Sequence, residues 1–366
     1  MHTLPAAWYT QADALELEYA RIFERGWQYA GLHGRLSAPG DFLTTTLGRI
    51  PAIVVRGRDG ELRAFVNVCR HRGSELVAES AGCRQTMQCM YHGWTYNLDG
   101  TLRNAPRMEA EDGFDPGELS LEPLRLETVG PFVFVAADPA ADPLPAAAGA
   151  WPELLRDTGL DLGRLSFRER RTYDVAENWK ILVENFLERY HCPVSHHGFT
   201  DLVDLDTYEG TLHSDLFWHF TSEVRATAVA RNLHGIADLP DARRRLWNFV
   251  LWPNFMANIY PGVGNMSTNQ LIPLAPDRTL AVYDFYFEEG ASEAQQKANV
   301  DFIDTVQRED IVLCESVQRG LRSGRFDRGR LLKSESLIDR FGWQVARTIA
   351  DDATGPGTVR STSVKL

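Results

Sequence analysis

Little in this sequence points to a secreted, membrane or nucleic-acid-binding protein. Its 366 residues include only five cysteines, at 69, 83, 89, 192 and 314, an odd and sparse set that excludes a disulfide framework. Basic residues are in the minority. Lys and Arg number 38 against 50 Asp and Glu, a net charge of −12, which argues against a basic face for nucleic acid. No apolar run reaches the length of a membrane span, and no basic stretch followed by an apolar run opens the chain, so no secretory leader is read. There is no internal repeat and no flavin or nicotinamide fingerprint. A cytoplasmic protein is expected, binding neither nucleic acid nor membrane. With 44% hydrophobic and 24% charged residues, it is long enough for two domains with sizeable cores.

What the chain does contain is two short pairs, Cys69-Arg70-His71 and Cys89-Met90-Tyr91-His92. Two thiolates and two imidazoles are the donor set of a Rieske [2Fe-2S] centre, in which one iron takes two Cys and the other two His. Neutral His in place of thiolate raises the reduction potential, so such a centre moves single electrons. Zinc is the rival for two Cys and two His, but zinc fingers usually segregate the Cys from the His. Here each pair mixes them, as two loops clamping both irons require. Arg72-Gly73 and Gly93-Trp94 are loop-like flanks, and Cys83 has no evident partner.

A second donor set lies downstream. Glu188, His191 and His196 form E-x2-H-x4-H. The helical period over 176–192 is expected to end at Pro193, with Glu188 and His191 three apart on one helical face. Two His and a carboxylate with open positions form the facial triad of non-haem Fe(II) oxygenases. Spacing favours His196 over its neighbour His197. The carboxylate is sought in the amphipathic helix expected over 293–321, whose apolar stripe runs through Phe302, Ile303, Val306, Leu313, Val317 and Leu321. Asp310 falls near the centre of that stripe and Glu309 toward its edge. A carboxylate inside an apolar stripe is costly unless paired or metal-bound, so Asp310 is taken as the ligand, with a buried salt bridge as the plainer reading.

The rest of the chain places these sites. Short β-rich runs such as 52–55, 62–66 and 132–135 fill the region from about Asp41 to Val135, with Asp59-Gly60 and Asp99-Gly100 read as hairpin tips. Ala/Pro/Asp-rich sequence then reads as a linker, followed by mixed helix and strand. The expected fold is α+β: a helical segment over 1–37, an all-β cluster domain over 38–136, a linker over 137–150, and over 151–366 an α+β catalytic domain with an antiparallel sheet flanked by helices.

With these motifs the chain resembles the α subunits of Rieske non-haem iron oxygenases, the aromatic-ring-hydroxylating dioxygenase family, along nearly its whole length. Asn178-Trp179-Lys180, Glu184 through Pro193, and Glu309 through Leu321 are similar to the choline, glycine betaine, stachydrine and carnitine monooxygenase branch. Arg189 departs from that branch, which often has Cys there, as does His197-Gly198, where His-Pro is common. The resemblance implies that the 1–37 segment packs on the catalytic domain and that homotrimers form head to tail. It also implies an electron path from His92 through Glu188 to His191 of the adjacent subunit. Electrons would come from NAD(P)H through a separate flavin/iron–sulfur reductase, with or without a ferredoxin, and O2 would be the oxidant. The implied activity is hydroxylation or N-demethylation of a small quaternary amine or betaine. Hydroxylation or dihydroxylation of an aromatic ring or acid is the alternative, and a Rieske electron carrier the remote one. A quaternary cation calls for aromatic faces, for which Trp218, Trp252, Phe255, Tyr260, Tyr283, Phe285 and Tyr286 are the candidates.

Overall fold

The computed structural model describes residues 1–108 and 111–350, together with the backbone of 362–365. The remainder of the expected C-terminal end of the catalytic domain lies outside the described residues. Two compact units emerge, Phe23–Ala146 and a larger one made of Met1–Ile22 with Ala147–Leu366.

The smaller unit is built from short apolar strands. They are β1 (Gln28–Leu32), β2 (Asp41–Leu47), β3 (Ile50–Arg56), β4 (Leu62–Val66), β5 (Ala81–Cys83), β6 (Met87–Gln88), β7 (Thr95–Tyr96), β8 (Leu102–Asn104), β9 (Pro123–Val129) and β10 (Phe132–Ala136). An antiparallel sheet runs β1-β10-β9-β4-β3-β2-β5, and β6-β7-β8 form a second, smaller one. Both expected hairpin tips are tight turns with glycine at positive φ, Gly60 at 85° and Gly100 at 87°, which L side chains resist. The expected boundary at 37/38 is corrected to Ile22/Phe23. The reason is long-range: β1 is buried throughout, and its backbone pairs with β10.

The larger unit centres on an antiparallel sheet of β11 (Leu165–Val175), β12 (Glu209–Leu212), β13 (Phe217–Glu223), β14 (Arg245–Leu251), β15 (Phe255–Ile259), β16 (Asn265–Ala275), β17 (Arg278–Glu288) and β18 (Thr362–Lys365). Their order is β11-β17-β16-β15-β14-β13-β12-β18. Helices Trp179–Leu187, Glu293–Leu321 and Ser336–Ala350 complete the α+β architecture. Asn178 caps the first of these, its Oδ1 accepting the Lys180 N–H at 3.1 Å, and Ser292 with Gln295 forms a capping box on the second. No helix among the described residues is long and apolar enough to cross a membrane.

Buried polar groups tie the first 22 residues into this unit. Lys180 is fully buried and donates to Glu18 Oε1, while Trp179 Nε1 donates to Glu18 Oε2 at 2.6 Å. Tyr9 Oη donates to Glu184 Oε1 at 2.5 Å. A charge buried here demands its partner, because removing one member leaves the other uncompensated.

Glu177, just before the capped helix, is buried, and neither carboxylate oxygen has a hydrogen-bond partner among the described residues. Burial, reinforced by Glu315 and Asp310, pushes its acid from 4.5 up to about 9. The folded chain therefore keeps a proton that the unfolded chain gives up. The stabilisation is complete in acid and is lost as pH rises toward about 9, at up to about 1.4 kcal/mol per pH unit. Glu177→Gln, which mimics the protonated acid, should flatten the fall in urea midpoint over that interval. Parallel slopes for the two proteins would refute this.

Candidate metal centres

The two Cys–His pairs occupy matched loops of the smaller unit. Cys69 N–H bonds Ser74 O at 2.8 Å and Gly73 N–H returns to Cys69 O at 3.1 Å. In the other loop, Cys89 N–H bonds Trp94 O at 2.8 Å and Gly93 N–H returns to Cys89 O at 3.0 Å. Gly73 and Gly93 have φ of 71° and 76°, so glycine makes both turns feasible. The loops bury both thiols and bring the His71 and His92 rings to 4.6 Å between centroids. His71 stacks on Trp94 at 4.8 Å, whereas His92 is exposed.

Two observations fit this donor set to a cluster. His71 Nδ1 is buried without a partner, a costly arrangement unless something binds there. Burial alone would raise the Cys89 thiol, yet the N–H groups of Tyr91 and His92, with Cys69 and Ser74, hold it below its ordinary value. Backbone donors aimed at sulfur favour the thiolate that a cluster needs. None of the five cysteines is joined in a disulfide.

The second site lies in the larger unit, and its local structure differs from the helical expectation. The helix ends at Leu187, and Glu188 is extended, at φ −123° and ψ 165°. Pro193 opens a short helix, Cys192–Ser195, instead of closing the long one. Glu188 and His191 therefore meet across a turn and not along a helical face. Glu188 Oε2 accepts the N–H groups of Tyr190 and His191, and its Oε1 engages His191 Nδ1. A side chain that satisfies nearby backbone N–H groups competes with helix.

His191 Nε2 and His196 Nε2 lie 3.1 Å apart. Asp310 Oδ1, from helix Glu293–Leu321, is 2.9 Å from His196 Nε2 and 3.3 Å from His191 Nε2. His196 is buried and His197 exposed. Glu309, considered above only as a rival to Asp310, instead holds His196 Nδ1 at 2.7 Å. Each imidazole is thus backed at Nδ1 by a glutamate, which turns its Nε2 toward the common point, as in carboxylate–histidine–metal arrangements. The signal for Glu309 was its adjacency to Asp310.

The electrostatics also call for a cation. Burial would lower the His191 imidazole, but hydrogen bonds to Asp310, Cys192 and Glu188 push it up to about 11. Burial would raise Asp310, and the two histidines bring it below its ordinary range. Cys192 Sγ, 3.7 Å from His191 Nε2, forms with His191 and His196 a second possible donor group. Asp310 is the better third donor because one oxygen approaches both imidazoles, and hard carboxylate with imidazole suits ferrous iron. The buried stripe of the long helix runs through Ile303, Gln307, Cys314 and Gln318, in line with Asp310. Val317, expected within that stripe, is 49% exposed.

These ligands open onto a cavity of about 60 Å³, room for on the order of five water molecules. Of the aromatic candidates, Tyr260 and Tyr283 line it, and the other five do not. Met256 and Asn258 face the cavity from β15, so Phe255 points to the other side of the sheet, against Trp151 at 6.0 Å. The same alternation turns Tyr286 away from Tyr283 toward Phe167, at 5.8 Å. Trp218 and Phe285 share cross-strand rows with the lining Met256 and Asn258 but do not themselves line the cavity. Trp252 follows β14 and packs on Phe341 at 5.5 Å. The lining also includes Phe186, Arg189, Phe199 and Gln307, none of which hydrophobic patterning singled out.

Residues 26–125 match the Rieske [2Fe-2S] domain, and residues 162–351 match the ring hydroxylating alpha subunit (catalytic domain). The chain is 35% identical to the chloroplastic choline monooxygenase of Arabidopsis thaliana, over 93% of this chain and 81% of that protein. It is 33% identical to the carnitine monooxygenase oxygenase subunit of Escherichia coli (strain K12), over 91% of this chain and 88% of that one. A solved quaternary ammonium Rieske monooxygenase, CntA in complex with L-carnitine, is similar at a TM-score of 0.80 and 30% identity, covering 96% of this chain and 94% of that chain.

Proposed function

Because the chain belongs to the Rieske non-haem iron oxygenases, we propose that it hydroxylates an N-methyl group of a small quaternary amine or betaine, releasing the demethylated amine. The observation that carries this is the compact cavity lined by His191, His196 and Asp310 together with the aromatic side chains of Tyr260 and Tyr283. The choline and carnitine monooxygenases among its relatives favour a methylated amine over an aromatic ring. An electron carrier has no use for the catalytic domain matched by residues 162–351.

A ferrous ion held by His191, His196 and Asp310 supplies oxygen activation, and a [2Fe-2S] cluster held by Cys69, His71, Cys89 and His92 supplies single electrons from a separate reductase. Glu188 and Glu309 orient the two imidazoles through Nδ1. Tyr260 and Tyr283 offer aromatic faces to a cation that cannot donate hydrogen bonds, and the apolar wall of Leu182, Leu246 and Ile303 limits water. In the overall reaction one atom of O2 enters an N-methyl C–H bond. The other leaves as water, with two electrons and two protons. The hydroxymethyl ammonium product then loses formaldehyde and a proton.

We further infer a head-to-tail trimer in which His92 of one subunit meets Glu188 of the next. Exposed apolar residues flank each residue on its own unit, Met90 (88%) and Tyr91 (55%) beside His92, and Tyr190 (66%) beside Glu188. Free thiols, including the exposed Cys83, support a reducing, cytoplasmic setting.

The test is NADH oxidation with a surrogate reductase over a panel of methylated amines and aromatic acids. Stoichiometric formaldehyde from a quaternary amine is the expected result. A phenol or diol from an aromatic acid, with no formaldehyde from any amine, would overturn it.

A further inference from the structure

Arg189 sits in the wall of the same cavity as His191, His196 and Asp310. Its guanidinium is enclosed by the rings of Tyr208, Phe186 and Phe199, at 5.0, 5.5 and 5.9 Å. Nη2 donates to Asn248 Oδ1 at 2.9 Å and Nη1 to Phe186 O at 3.3 Å. Both acceptors are neutral, and Nε is buried with no partner. Its sequence neighbour Glu188 is committed to Tyr190, His191 and the His191 ring. Arg189 forms no ion pair among the described residues. Arginine does not escape this situation by losing its proton, and an uncompensated charge in such a site is costly.

The polar atoms nearby show the same imbalance. Gln307 Nε2, also in the cavity lining, is a buried donor without an acceptor, and Asn269 Oδ1 is a buried acceptor without a donor. Two of these three orphan groups are donors, and one of the donors carries a full positive charge. The other charged feature of the cavity is the carboxylate set around His191 and His196. The cavity lining thus holds a cation, Arg189, together with Asp310 and the two imidazoles that Glu188 and Glu309 engage.

We propose that Arg189 is a specificity-determining residue that binds a carboxylate on the substrate, so that the enzyme takes carboxylate-bearing quaternary amines in preference to choline. This rests on the quaternary-amine reading above and deepens it. A betaine supplies the anion that Arg189 lacks, through the planar fork that suits a carboxylate, and keeps its own cationic head away from the guanidinium. Choline puts a neutral hydroxyl in that place and leaves the arginine uncompensated. Phe186 and Phe199 already cover the arginine, so Tyr260 and Tyr283 are left to receive the ammonium group.

Three probes of matched shape separate the contributions: glycine betaine with both charges, choline with only the cation, and 3,3-dimethylbutanoate with only the carboxylate. Longer-spaced carboxylate homologues extend each series. The holoenzyme should show kcat/KM at least about a hundredfold higher for the best betaine than for choline, and should bind the uncharged-head carboxylate in calorimetry. Arg189→Gln should raise KM for the betaine about a hundredfold, far more than it changes kcat, collapse the preference for betaine over choline, and abolish carboxylate binding. Arg189→Lys should restore part of the loss. Cluster absorption and iron content serve as the check on folding, and the wild-type preference tests the idea without any variant. Equal or better use of choline by the wild type would overturn the assignment. So would carboxylate binding that is absent, or that is unchanged in Arg189→Gln. If 3,3-dimethylbutanoate binds through Arg189 but no quaternary amine is oxidised, Arg189 stands as an acid-binding residue and the quaternary-amine reading fails.

Discussion

Replacing His191 by alanine is expected to lower turnover by at least about a thousandfold, more than roughly 4 kcal/mol in barrier, while the [2Fe-2S] absorption stays intact. His191 Nε2 lies within 3.3 Å of Asp310 Oδ1 and 3.1 Å of His196 Nε2, so its loss removes one of three converging donors. Iron content should fall from about three to about two per chain, since the cluster keeps its pair. The cluster loops belong to the unit Phe23–Ala146 and His191 to the other, so the two losses are separable. A His191→Ala protein that lost the cluster spectrum, or kept both its third iron and its activity, would contradict the two-site assignment.

Glu188→Gln should be nearly as damaging by a different route. The side chain keeps its length and still reaches His191, so the mononuclear iron should be retained. What changes is the charge on the group that binds His191 Nδ1, on the proposed route for electrons from a neighbouring His92. Reoxidation of the reduced cluster by O2 and substrate in a single turnover should slow by at least about a hundredfold, whereas reduction of the cluster by the reductase should be unchanged. Wild-type reoxidation rates in this variant would reduce Glu188 to a residue that only orients its histidine.

Features set by local chemistry were legible in the sequence. The mixed Cys–His pairs, the glycines that turn their loops and the two Asp-Gly hairpins each depend on a few adjacent residues. Asp310 stood out as a carboxylate on an apolar stripe, and its Oδ1 approaches both imidazoles. The misreadings arose where distant contacts or an ambiguous period decide the outcome. The helical period runs through Glu188 without a break, yet that side chain captures the N–H groups of Tyr190 and His191, and the helix stops. The pairing of β1 with β10 joins residues about a hundred positions apart, beyond the reach of any local pattern. Aromatic composition marked seven residues for the pocket, but only Tyr260 and Tyr283 line it, strand alternation turning Phe255 and Tyr286 to the opposite face.

The attachment of the first 22 residues to the larger unit bears on how the chain is made. During synthesis, the unit Phe23–Ala146 emerges as one uninterrupted stretch and can close on itself while translation continues. Glu18 leaves the ribosome just ahead of that stretch, and its partners Trp179 and Lys180 emerge only after the whole of it. The acid must therefore stay solvated and accessible through the birth of an entire domain. The oxygen-activating half of the protein is, in the order of its assembly, the part that finishes last.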